Sequence, residues 1–258
     1  MCPPAHFDVT YSINPWMDPS VAVDRARALR EWQAIVDLYE QLGHEVRLIE
    51  PAPGLPDMVF AANAGTVIDG VVLPARFRHE ERRGEETFYR RWFRDNGYAA
   101  PEQSVPINEG EGDVLVVGDL LLCGSGYRSD PAAATAAQEC FGMPAVVLTL
   151  VDPRYYHLDI ALGVVDATTV AYLPSAFSSG SRRALERLFP DAIVARPEEA
   201  EMFGLNFVSD GENVVLPAGA PHLEGEIVAR GLRTHVVETD ELRKAGGAVK
   251  CCTLELRS

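Results

Sequence analysis

The chain has 258 residues, with 23 Lys and Arg against 38 Asp and Glu, for a formal net charge of −15. Hydrophobic residues at 47% and charged residues at 24% are ordinary globular usage, which excludes disordered and fibrous classes. No apolar run approaches the roughly 18 residues of a membrane-spanning helix. The acidic balance repels phosphate backbones, and the one Arg-rich stretch, residues 76–94, is interleaved with Glu. Neither a membrane nor a nucleic acid is therefore expected as a partner.

Residues 1–8 lack the basic start and apolar run of a signal peptide, so a cytoplasmic protein is expected. Five cysteines (Cys2, Cys123, Cys140, Cys251 and Cys252) form no C-x-x-C pair, and the six histidines show no H-x-x-x-H spacing. That argues against a disulfide framework and a structural zinc site, and no metal or cofactor is expected.

In chain order, Phe7 to Tyr11 reads as a strand. Residues 23–42 then form the clearest helix, with Leu29, Trp32, Ile35, Val36, Tyr39 and Leu42 on one face. Gly43 ends it before a β-rich run at 45–49. A hairpin over 64–73 turns at Asp69-Gly70, a strong hairpin signal, and is followed by a helix over 85–96 and a short strand at 104–107. The pattern recurs as hairpin 113–123, helix 131–140 and strand 145–150. It recurs again as hairpin 161–172, helix 181–189 and strand 192–195, and once more as hairpin 206–216, a weaker helix over 221–230 and strand 234–237. The β-rich run 248–256 closes a fifth unit by pairing with Phe7 to Tyr11. Five ββαβ-like units of roughly 40–50 residues suggest an α/β fold of radial repeats around a channel. That makes a single domain over residues 1–258 rather than two stacked ones. The alternative is an ordinary α/β or α+β domain with irregular hairpins.

Several residues have chemistry in reach. Gly246 and Gly247 allow close backbone approach just before Cys251 and Cys252, and the nearby Arg243, Lys244 and Lys250 would favour a thiolate if they lie close in space. Placed in a strand, His157 and Asp159 share a face, as an acid–base histidine and its carboxylate would. Glu109, Glu111 and Asp113, interleaved with glycines, can present several carboxylates to a cation. Arg82 and Arg128, read as loop residues, can clamp a carboxylate. Asn14 and Asn63 are either turn residues or site residues. Asn63, the 109–113 acids, the His157–Asp159 pair and Cys251 all stand where the first or last strand of a unit begins, so radial geometry would bring them to one end of the channel.

The fivefold pattern, E-G-x-G-D at 109–113, H-L-D at 157–159 and the closing G-G-x-x-x-C at 246–251 together resemble the guanidine-modifying penteins. The likeness covers nearly the whole chain. The segments 1–4, 13–17 and 60–65 are similar to the arginine dihydrolase branch and relatives labelled dimethylargininase. The resemblance implies a five-bladed α/β-propeller and a hydrolase acting on a small cationic guanidino compound through a covalent cysteine intermediate, and it leaves a homo-oligomer open. It implies Cys251 as nucleophile, His157 as acid and base, and Glu109 as the guanidinium-binding carboxylate, with Glu111 as its rival. Asp159 and Asp113 would add substrate-binding carboxylates, Arg82 and Arg128 would bind the α-carboxylate, and Asn14 would make a polar contact. Asn63 stands where deiminases and many dimethylargininases carry aspartate; a neutral amide there would tolerate a ureido group and let citrulline react on to ornithine. An amidinotransferase and a non-catalytic arginine-binding module are the alternatives.

Overall fold

The computed structural model describes residues 1–101 and 105–257. Helix α1, Arg25–Gln41, begins where the Asp24 side chain accepts from the Arg27 backbone N–H, satisfying one of the donors that a helix start leaves free. It buries Ala28, Trp32, Ile35, Val36 and Tyr39, whereas Leu29 is 46% exposed. The buried stripe is thus rotated toward Ala28, and each large apolar side chain on it contributes roughly 1.5–3 kcal/mol.

Strands β1 (Gly65–Ile68) and β2 (Val71–Pro74) form the first hairpin, followed by α2 (Glu80–Arg83) and α3 (Glu85–Asp95). Next come β3 (Val114–Val117), β4 (Leu120–Ser125), α4 (Ala132–Phe141) and β5 (Ala145–Thr149). The third unit is β6 (Leu162–Val164), β7 (Val170–Tyr172), α5 (Ser179–Leu188) and β8 (Ile193–Val194). After α6 (Pro197–Glu201), the fourth is β9 (Val208–Ser209), β10 (Asn213–Pro217), α7 (Pro221–Ala229) and β11 (Arg233–Val237). Helix α8 (Asp240–Arg243) and β12 (Leu256–Arg257) close the chain.

These strands make four three-stranded sheets in a mixed α/β fold. In three of them the second hairpin strand pairs antiparallel with the first and parallel with the strand that follows the helix: β4 with β5, β7 with β8, and β10 with β11. All four hairpins and all five helices expected from the sequence are present, with ends displaced by a residue or two. In the first sheet, β1 pairs with β2 and, in parallel, with β12, while a single bridge from Val71 to Ala99 stands where a third strand would follow α3.

The fifth unit departs from expectation. Residues 7–11 and 45–49 are not strands, and of 248–256 only Leu256 joins one. Their backbone bonds are individual: Ile49 N donates to the Met1 carbonyl at 3.0 Å, and Cys252 N to the Ala248 carbonyl at 3.2 Å. Tight turns around Cys251 use up the groups a ladder would need. The strand expected at 104–107 begins at a residue outside those described, and Val105 to Ile107 is irregular.

A short turn precedes the first strand of each hairpin. Asn63 lies in the 3-10 turn Ala61–Ala64, Glu109 directly before the turn Gly110–Gly112, and His157 directly before the turn Leu158–Ile160, which carries Asp159. Asn206 and Cys251 hold the corresponding places before β9 and β12.

Candidate active site

Tight backbone approach builds the site. Gly112 sits so close to its neighbours that a Cβ there would lie 2.3 Å from Asn63 Nδ2 and 3.2 Å from the His157 ring. Gly246 has φ +86°, and a Cβ there would meet Tyr156 and Asn14 at under 3 Å, so both the conformation and the space require glycine. His157 is extended and Asp159 follows on a 3-10 turn, not in the strand expected from the sequence; both are buried, His157 against Glu109 and Asp159 against Cys251.

The thiol of Cys251 is 2% exposed. Its Sγ lies 3.2 Å from Asp159 Oδ2, to which it donates, and 3.2 Å from Asn206 Nδ2. Burial, and then the Asp159 carboxylate, push this thiol well above its ordinary value. The expected cationic neighbours do not offset that. Arg243 pairs with Asp240 and Lys244 with Glu241, while Lys250 Nζ is 2.6 Å from both Glu111 and Glu255. Burial raises Asp159 to about 6, against the opposing pull of His157 and the Cys251 hydrogen bond. Its Oδ1 accepts no hydrogen bond among the described residues.

Glu109 is fully buried, which by itself opposes ionisation, yet Arg128 and His157 outweigh this and hold it well below the usual carboxylate range. Its Oε2 is 2.8 Å from Arg128 Nη1 and 2.8 Å from His157 Nε2. An ionised carboxylate only accepts, so Nε2 carries the hydrogen in this contact. Arg128 also donates to the Ile13 carbonyl and lies over the Tyr156 ring at 4.5 Å.

The three acids of the E-G-x-G-D segment part company. Glu109 joins His157, whereas Glu111 turns away to Lys250, Arg257 and the Glu255 backbone N–H. Asp113 accepts from Ser129 N and Oγ and from Leu158 N, so it anchors the backbone beside His157 and does not line the cavity. A 3-10 turn points successive side chains about a third of a turn apart, which explains the divergence.

Arg82 lies in α2 rather than a loop. It makes a two-pronged ion pair with Glu85, at 2.8 and 2.9 Å, and donates to Asn63 Oδ1 at 2.6 Å. Burial lifts Glu85 to about 7 despite Arg82. Asn63 in turn donates to the Glu109 carbonyl at 3.3 Å, and Asn14 to the Ala245 carbonyl at 3.1 Å. Cys252 is completely buried and takes no part in these contacts. Asp57, Glu85 and Asn206 carried no signal as motifs. Asn206 alone had one in its position, since it opens the fourth hairpin as Asn63 and Glu109 open theirs.

Asn14, Asp57, Asn63, Arg82, Arg128 and Cys251 line one narrow cavity, with only about 10 Å³ open to water, room for about one water molecule; Glu109, Asp113, His157 and Asp159 are buried outside that lining. A far roomier surface cleft, about 650 Å³ between His44, Trp92 and Asp210, contains none of the candidate residues. Convergent chemistry rather than size locates the site. No cluster of three or more His, Cys, Asp or Glu able to hold a metal ion occurs among the described residues, and no helix there is long and apolar enough to cross a membrane.

A family described as N,N dimethylarginine dimethylhydrolase, eukaryotic, matches residues 9–192. The N(G),N(G)-dimethylarginine dimethylaminohydrolase of Mycobacterium tuberculosis is 48% identical over 256 residues, covering 99% of this chain and 84% of that protein. The bifunctional arginine dihydrolase/ornithine cyclodeaminase ArgZ of Synechocystis is 35% identical, covering 99% of this chain but 37% of its own length. The crystal structure of the N-terminal domain of a cyanobacterial ArgZ variant bound to substrate superposes with a TM-score of 0.96 at 34% identity, covering 100% of this chain and 97% of that one.

Proposed function

This chain belongs to the dimethylarginine dimethylaminohydrolase family, and from that premise we propose that it hydrolyses a guanidino C–N bond of L-arginine or of an Nω-methylated arginine. The products are citrulline, ornithine or both, with ammonia or a methylamine. The carrying observation is Asp159 Oδ1, a buried carboxylate oxygen with no partner among the described residues, beside the Cys251 thiol. A guanidinium presents N–H donors in a fixed planar fork that suits such an oxygen. In the cavity beside Cys251, which must widen to admit a substrate, Asp57, Arg82 and Arg128 suit the α-ammonium and α-carboxylate of an amino acid.

In this reading neutral His157 takes the Cys251 proton as the cationic substrate binds, and the thiolate bonds to the guanidinium carbon to give a tetrahedral adduct. The C–N bond breaks as His157 delivers a proton to the leaving nitrogen, which leaves an S-alkylthiouronium on Cys251. His157 then takes a proton from water, the hydroxyl adds to the carbon, and the C–S bond breaks as His157 returns its proton to the sulfur and the hydroxyl proton passes to the released amine, leaving the ureido product and the resting thiol. Glu109 holds the imidazole in place, and Asn63 leaves the site one negative charge short of an aspartate. The amide suits a neutral ureido group and therefore a second turnover, from citrulline to ornithine. The recurrence of positions 63, 109, 157, 206 and 251 supports a five-bladed arrangement of one domain.

Supplying L-arginine and dimethylarginine separately, and identifying citrulline, ornithine, ammonia or dimethylamine, tests the reading. Turnover of neither overturns it, and turnover that depends on an added amine assigns amidino transfer instead.

A further inference from the structure

The fourth unit places Asn206 at the thiol. Asn206 is completely buried, and all of its polar atoms are engaged. Oδ1 accepts from the backbone N–H of Ala248 and of Cys251, each at 3.1 Å, and its carbonyl accepts from Lys250 N at 3.0 Å. Nδ2 donates to the Asp159 carbonyl at 3.1 Å and to Cys251 Sγ at 3.2 Å. The orientation of the carboxamide is decided by this network. Exchanging O and N would set N–H against two backbone N–H donors and leave the Asp159 carbonyl facing an oxygen.

We propose that Asn206 is a catalytic residue that stabilises the Cys251 thiolate through its Nδ2–H, while its Oδ1 holds the turn that presents the sulfur. The inference rests on Cys251 being the nucleophile. In the resting site Sγ gives its hydrogen to Asp159 and receives one from Asn206. Once the thiol proton is lost, the Asp159 contact turns repulsive, whereas the Asn206 contact becomes a charge-assisted hydrogen bond and strengthens. With no cation paired to the sulfur among the described residues, the thiolate depends on neutral donors, and Asn206 Nδ2–H shares that task with the nearby Ala248 backbone N–H.

Asn206→Asp keeps the acceptor for Ala248 and Cys251 but replaces the donor facing Sγ with a carboxylate oxygen, whose charge also raises the thiol, so it is read beside the uncharged Asn206→Ala. The readout is the pH dependence of iodoacetamide alkylation at Cys251, followed by peptide mass spectrometry with fragment ions that distinguish Cys251 from Cys252. The midpoint is expected to rise by about one to two pH units, the equivalent of one hydrogen bond to a charged atom. With arginine, kcat should fall at least about tenfold while KM changes little. Asn206→Ala removes donor and acceptor together without adding charge; a rise in both variants is the expected result, whereas a rise in Asn206→Asp alone reports only the new carboxylate and overturns the proposal. In the wild-type protein the Asn206 side-chain amide NMR signals should titrate with the thiol, and this titration should vanish in Cys251→Ala. A folded Asn206 variant with an unchanged alkylation profile, or amide signals indifferent to Cys251 ionisation, overturns the proposal. Retained turnover in Cys251→Ala would instead sink the covalent mechanism, while the alkylation and NMR results would still judge the Asn206 contact.

Discussion

Oε2 of Glu109 stands 2.8 Å from Nε2 of His157, and the same oxygen receives Nη1 of Arg128. One buried carboxylate thereby orients the imidazole and neutralises a buried arginine, so its loss affects chemistry and fold together. Glu111, two residues away and equally buried, faces Lys250 and Arg257 instead.

Glu109→Gln and Glu111→Gln should therefore fail differently. For Glu109→Gln, kcat is expected to fall at least about 100-fold, in line with losing an oriented acid–base group. Glu111→Gln weakens the ion pairs of buried Lys250 and half-buried Arg257, both of which keep Glu255, at about 1–3 kcal/mol, and should lower Tm by about 5 °C with kcat within about threefold of wild type. Steady-state kinetics beside thermal unfolding checks both; a Glu111 variant that lost turnover while keeping its Tm would reverse the assignment.

Asp159 should make the protein less stable as pH rises. An acid whose value is lifted from 3.8 to about 6 by burial binds its proton more tightly folded than unfolded. Its protonation favours folding at low pH, and this contribution is lost between those two values. Asp159→Asn removes that loss, so above pH 6 the variant should be about 1–3 kcal/mol more stable than wild type, with little difference below pH 4 and no measurable turnover. Urea unfolding at pH 4 and pH 7.5 gives the comparison. A variant destabilised equally at both would contradict the argument.

Asn63→Asp should change the product rather than abolish the reaction. The new carboxylate would still face Arg82, which now donates to the Asn63 amide at 2.6 Å. It would bind a cationic guanidinium better than neutral citrulline. The ornithine-to-citrulline ratio from arginine is expected to drop at least about tenfold, as read by amino-acid analysis of the products.

Gly112→Ala tests the close contact of neighbouring turns. Its methyl would stand 2.3 Å from Asn63 Nδ2 and 3.2 Å from the His157 ring, so one of the two must move. Overpacking of this kind costs about 1–3 kcal/mol, and kcat should fall at least about tenfold. A crystal structure of the variant with both side chains unmoved, and full activity, would show that the contact is slack.

Local signals were enough for the four hairpins and the helices between them, because Asp-Gly and Gly-Asp turns and helical apolar spacing are encoded over a few residues. They misread the fifth unit, where β-rich composition at 7–11, 45–49 and most of 248–256 yields turns and irregular backbone. There the chain is held by contacts between distant segments, such as Ala62 N with the Cys251 carbonyl at 3.0 Å, and local propensity has no access to these.

The list of reactive groups was likewise written in the chain: a cysteine after two glycines, a histidine two residues before an aspartate, and glutamates between glycines. Which glutamate meets the histidine was not, because a 3-10 turn sends Glu109 and Glu111 in different directions and only their distant partners, Arg128 and Lys250, reveal which. Asn206 is the sharpest case. Its only sequence signal is its place at the start of a hairpin, where a turn residue would also stand, and its contact with Cys251 spans 45 positions. Composition and spacing determined the elements and the chemistry available to this protein. Which groups share one desolvated cavity was decided by the tertiary structure, since distances of about 3 Å between residues far apart in sequence exist only once the turns of separate units converge.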